Sequence, residues 1–92
     1  MNYNTGGNGL KRYNNERNII GPILHQTRKE KGLKKKDISA RVGVLGITIT
    51  EDEIYRIEAN RMSVKDFEAV ALCIAAEIDC KFLVDIIKNN PN

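Results

Sequence analysis

Tryptophan is missing from these 92 residues, proline and cysteine occur only twice each, and histidine once. Each shortage closes off a class of protein. Cys73 and Cys80 stand too far apart for a CxxC pair, and His25 alone cannot complete a zinc set with them, so no metal site is expected. With one histidine there is no Ser/His/Asp or Cys/His constellation; nor is there a glycine loop for phosphate or an evident carboxylate pair, so no enzyme and no cofactor are expected. No apolar run approaches the roughly 20 residues of a membrane span. The opening Met1–Gly9 is polar and rich in Gly and Asn, unlike a secretory signal, and the two thiols read as reduced in a cytoplasmic setting.

What is present fits one small globular domain: 41% hydrophobic residues and a formal net charge of +3. The charge is unevenly spread. Residues 1–36 carry nine Lys/Arg against Glu16 and Glu30, whereas residues 37–92 carry six against ten acids. A basic first half favours an anionic partner, because neutralising phosphates releases counterions. A run such as Lys34-Lys35-Lys36 also reads as a plain solvated face.

Residues 1–17 lack apolar periodicity and read as a flexible arm, either a plain tail or, through Lys11, Arg12 and Arg17, a groove-following one. From Asn18 the pattern is helical. Asn18 is a suitable N-cap for a first helix to about Glu30, with Pro22 in its first turn, Ile20, Ile23, Leu24 and Thr27 inward, and Gly32 as its stop. A short second helix, Lys35–Arg41, buries Ile38 and Val42 and stops at Gly43. The β-branched Ile47-Thr48-Ile49-Thr50 predicts an extended segment, either a strand awaiting a partner chain or a covered loop burying Ile47 and Ile49. Thr50-x-x-Glu53 is a capping box for a third helix to about Ala59, with Ile54 and Ile57 inward and Asn60 as its left-handed terminator. Ser63 is the expected cap of a fourth helix that turns Phe67, Val70, Ala71, Ile74 and Ala75 inward. Asp79 caps a fifth that uses Phe82, Leu83 and Ile86. Residues 89–92 should fray. Five helices and no alternating strands mean an all-α bundle, with the domain spanning 18–88.

Several segments resemble a known family in order and spacing. Ile20-Gly21 through Arg28-Lys29-Glu30-Lys31-Gly32-Leu33, then Asp37-Ile38-Ser39-Ala40-Arg41-Val42-Gly43, then Ile54-Tyr55-Arg56-Ile57-Glu58 are similar to the first three helices of Xre/Cro-type regulators. Val64-Lys65-Asp66-Phe67-Glu68 and residues 78–83 match the later helices. The resemblance covers about residues 19–87. It implies a five-helix, lambda-repressor-like fold with a helix-turn-helix, and a sequence-specific DNA-binding transcriptional regulator, acting as a repressor and as a homodimer on double-stranded DNA. It also implies a structural ion pair between Arg28 and Glu58, where two independent surface charges are the plainer reading. Lys35, Tyr55 and Arg61 become candidates for the DNA backbone, and Arg56 and Asp52 for bases, since arginine suits guanine and a carboxylate can accept from cytosine.

The chain departs from the family in three places. Lys34-Lys35 replaces the usual Ser-Gln at the start of the second helix. Leu45–Ile49 lengthens the turn before the third helix, as in one subset of the family. The acidic Glu51-Asp52-Glu53 replaces the usual neutral or basic residues, and carboxylates aimed at a phosphate-lined groove are repelled. That trio motivates a second reading, a protein-interaction module such as an antitoxin or anti-repressor. For a dimer, Val84 and Ile87 of the last helix are the sequence candidates.

Overall fold

A computed structural model describes residues 11–90. Five α-helices follow one another, α1 (Gly21–Lys31), α2 (Lys35–Val44), α3 (Glu51–Glu58), α4 (Asp66–Ala76) and α5 (Lys81–Lys88). No strand occurs among the described residues, whose only β-type pairing is an isolated Tyr13–Glu16 bridge. Among the described residues no helix is long and apolar enough to cross a membrane. α2 packs on both α3 and α4, and α1 packs on the same two helices. The shared core is aliphatic: Ile20, Leu24, Ile38, Val42, Ile49, Ile54, Ile57 and Leu72 are almost wholly withdrawn from water. Each such side chain contributes about 1.5–3 kcal/mol by burial.

Three helices open in the same way, with an acid at the third helical position accepting the free backbone N–H of the cap residue. Asp37 takes Lys34 N–H at 2.8 Å, Glu53 takes Thr50 N–H at 2.9 Å, and Glu68 takes Lys65 N–H at 2.9 Å. Only at Thr50 does the cap's own hydroxyl complete the box, accepting from Glu53 N–H at 3.1 Å. α1 and α3 end on left-handed residues, Gly32 at φ 67° and Asn60 at φ 59°, which a helix needs to turn its chain away.

Four local expectations are corrected. Gly43 does not stop α2, which runs to Val44; the turn is made by Gly46 at φ 83°, where a side chain would be strained. Asn18 lies three residues ahead of α1, yet its Oδ1 still accepts Gly21 N–H at 2.7 Å, so it caps from a distance. Ser63 does not cap α4, which starts three residues later; its hydroxyl is buried without a hydrogen-bond partner. The inward face of α4 is also different. Ala71, Leu72, Cys73, Ala75 and Ala76 are buried, while Phe67, Val70 and Ile74 stand half exposed. α4 is apolar nearly all round, so helical spacing fits either face; the alanines win because small side chains let α4 approach α1 and α2 closely.

Residues 47–50 form neither helix nor paired strand, and Thr50 is extended at φ −76° and ψ 163°. Ile49 is buried and Ile47 half-buried, and Ser39 Oγ donates to Ile49 C=O at 2.6 Å, fastening the loop to α2. α5 buries no residue fully; Leu83 and Ile86 are half-buried and Phe82 is exposed. Burial pushes the Cys73 thiol up to about 11, with neighbouring Cys80 adding to the shift, so it stays protonated and acts as a core residue. Of the arm, residues 1–10 lie outside the described residues. The stretch that is described is tied down: Arg17 N–H donates to Asn60 Oδ1 at 2.6 Å, and Tyr13 shares a hydrogen bond with Asn90.

Candidate nucleic-acid interface

α3 is eight residues long, too short to hold its shape alone, so its rigidity must come from what it is fastened to. Ile54 and Ile57 anchor one face in the core. Steps of about 100° per residue then turn Glu51, Asp52, Tyr55, Arg56 and Ala59 outward, and all five are exposed.

The C-terminal end of α3 is bolted to α1 by a buried polar cluster. Arg28 Nε donates to Glu58 Oε2 at 2.8 Å and Arg28 Nη2 to Oε1 at 2.9 Å, with both side chains about 5–6% exposed. This is the fork-on-fork geometry that only a guanidinium can give a carboxylate. Arg28 Nη1 also donates to Leu33 C=O at 3.1 Å, and His25 Nδ1 donates to Glu58 Oε1 at 2.9 Å. The hydrogen bond to Glu58 raises the Arg28 pKa. For Glu58, burial pushes upward, but the bonds from Arg28 and His25 outweigh it and hold the carboxyl below its usual value. His25 was not singled out in the sequence; its place one turn before Arg28, on the same helix face, is the signal that would have found it.

A second fastening lies at Asn18 and Asn60. Asn18 Nδ2 donates to Ile57 C=O at 3.1 Å and to Met62 C=O at 2.8 Å, and Asn60 Nδ2 donates back to Asn18 C=O at 3.0 Å. Gly21 completes the joint. A Cβ placed there would lie 2.3 Å from Ile57 O, so glycine is what lets α1 meet the end of α3.

On the exposed side, three of the sequence candidates come together. Tyr55 projects between Lys35, the first residue of α2, and Arg61, just past the turn at Asn60. Lys35 Nζ and Arg61 Cζ each lie 5.9 Å from the centre of its ring. Such cation–π contacts hold both positive groups on one aromatic platform without neutralising them. Arg61 is itself placed by its N–H to Arg56 C=O, 2.7 Å, and Arg17 Nη1 donates to Arg61 C=O at 2.9 Å. Arg17, one of the basic candidates of the arm, therefore extends the positive ridge; its place beside Arg61 depends on the fold, because 44 residues separate the two.

The acidic trio divides its labour. Glu53 is spent on the capping box, accepting from Thr50 N–H at 2.9 Å and Thr50 Oγ1 at 3.2 Å. Asp52 takes Arg56 Nε at 2.9 Å in an i,i+4 pair, with Asp52 71% and Arg56 48% exposed. The Glu51 side chain makes no hydrogen bond or ion pair among the described residues. An ion pair in water as exposed as Asp52–Arg56 contributes at most about 0.5 kcal/mol, so another ligand can displace it readily.

No protein-family model, curated protein or solved structure matches this chain.

Proposed function

We propose that this chain is a cytoplasmic, sequence-specific DNA-binding regulator of Xre/Cro type, acting as a repressor, with α2 and α3 as its helix-turn-helix. The observation that carries the reading is the Lys35–Tyr55–Arg61 cluster on the outward face of a helix whose inner end is locked by Arg28–Glu58. A rigid helix flanked by fixed cations suits entry into a groove between phosphate rows. In this reading Lys35, Arg61 and Arg17 meet phosphates, Tyr55 packs against the backbone or a thymine methyl, and Arg56 reads a guanine after leaving Asp52.

Selection of bound duplexes from a random pool, at low and at moderate salt, tests it. A motif should emerge, and affinity should fall with a log–log slope of roughly −0.9 per phosphate contacted. Arg56→Ala should relax the preference at a guanine, whereas Lys35→Glu should weaken all sequences alike. A pool that shows no enrichment even at low salt ends the proposal.

One observation favours the runner-up, an antitoxin or anti-repressor whose third helix meets a protein: Asp52 already occupies the guanidinium that would read bases. Weak DNA binding that does not respond to salt, together with capture of a basic protein by the α3 face, is the result that reading expects.

A further inference from the structure

From the turn between α4 and α5 we infer that Cys73 and Cys80 are a modification site, a reactive dithiol that a low-molecular-weight disulfide converts to a reversible intrachain disulfide. The inference does not depend on DNA binding. Both cysteines are free, Cys73 buried in the core and Cys80 exposed.

The backbone brings the two together. Glu77 takes the left-handed conformation at φ 58°, and the chain doubles back on α4. Ile78 N–H donates to Cys73 C=O at 2.7 Å and Glu77 N–H to Ile74 C=O at 3.2 Å, the paired bonds that close a helix by folding the following residue onto its last turn. Ile78 is therefore set beside Cys73, and its side chain is buried. Two residues further on, Cys80 is held in helical conformation, its C=O accepting from Leu83 N–H at 3.0 Å and Val84 N–H at 3.2 Å. The Cys80 thiol there adjoins that of Cys73, acting on it both as a hydrogen-bonding and as a charged neighbour. A disulfide demands this kind of approach, with Cα atoms about 4.4–6.8 Å apart.

The two thiols have different parts in the chemistry. Cys80, open to solvent, attacks one sulfur of the small disulfide. Its S–S bond breaks, one thiol departs with the proton that Cys80 loses, and a mixed disulfide forms on Cys80. Cys73 is a poor first attacker, because burial and then Cys80 hold its thiol up at about 11. Capping Cys80 removes that neighbour's charge, so Cys73 gives up its proton more easily once the mixed disulfide exists. Its sulfur then attacks that of Cys80, and the second small thiol leaves with the Cys73 proton. In sum the protein loses two electrons and two protons, and the small disulfide is reduced to two thiols. The new bond ties the start of α5, a helix that buries no residue fully, to the core side of α4.

Oxidised glutathione and the full chain under native conditions test the proposal, read by intact mass and by sizing without reductant. The wild-type protein should end as an unlinked single chain lighter by two hydrogens, at a rate independent of protein concentration, and return to the dithiol with excess reduced glutathione. Cys73→Ala should stop at the mixed disulfide, heavier by one glutathionyl group. Cys80→Ala should react on the order of a hundredfold more slowly, since its remaining thiol is buried and protonated. Amide exchange in α5 should slow at least about fivefold on oxidation. A wild-type chain that keeps glutathione on Cys80 with Cys73 free overturns the proposal, and so do chains cross-linked through Cys80. Exchange in α5 that is unchanged in the oxidised protein overturns the tie to α4.

Discussion

The two ends of α3 are built on opposite plans. Its C-terminal end is buried and over-determined: Arg28 and His25 hold Glu58, Asn18 holds Ile57 and Met62, and Gly21 lies against the last turn. Its N-terminal end is satisfied only from within, by the Thr50–Glu53 box and the Asp52–Arg56 pair, and is open to solvent. A short helix needs an anchored end to present its outer face, and here the C-terminal end is held from the inner side while Tyr55, Arg56 and, past Asn60, Arg61 stand on the outer side. The buried joint should therefore govern stability, and the open end, where Asp52 holds Arg56, the reading of bases.

The largest effect should come from Gly21→Ala. The added methyl meets backbone rather than a movable side chain, so the joint between α1 and α3 must open. A loss of about 3 kcal/mol is expected, lowering Tm by roughly 15 °C in a thermal melt.

Glu58→Gln leaves Arg28 one neutral acceptor in place of the carboxylate fork and should cost about 2 kcal/mol, the worth of a hydrogen bond to a charged group. It should also change the acid response. Because the folded pKa of Glu58 lies below the ordinary 4.5, its contribution is complete above that value and is lost as pH falls through the folded one. Denaturant melts of the wild-type protein should weaken in that acid range, and the Gln variant should lack this component.

Thr50→Ala removes the hydroxyl that caps the open end, at about 1 kcal/mol, with the melt still cooperative. Asp52→Ala should shift stability by less than about 0.5 kcal/mol. Its expected signature lies in binding: freed from its carboxylate, Arg56 should tighten the complex with duplex DNA in a mobility-shift titration. An Asp52→Ala protein with unchanged or weaker DNA affinity would break the assignment of recognition to the open end.

Where the sequence was legible, local chemistry decided the outcome. The Thr50–Glu53 box, the left-handed Gly32 and Asn60, the inward Ile54 and Ile57 and the covered Ile49 depend on neighbours within a few residues. Arg28 and Glu58 were paired through a family resemblance; nothing local links residues thirty positions apart. The misreadings have physical causes. The hydroxyl of Ser63 suggests a cap, yet α4 opens on Lys65–Glu68, as α2 opens on Lys34–Asp37, where the acid alone serves. On α4 the spacing of apolar residues was helical on both sides, and local pattern has no means of preferring one.

The residue order by itself determined five helices, most of their ends and the outward turn of Tyr55 and Arg56, since hydrogen bonding and side-chain period act over a turn or two. Only tertiary structure decided that Lys35, Tyr55, Arg61 and Arg17 share one ridge, that Asn18 and Gly21 secure the far end of α3, and that Phe67, Val70 and Ile74 face outward. Those outcomes depend on how closely helix backbones can approach one another. That distance is set by small residues and buried polar contacts from segments far apart in the chain.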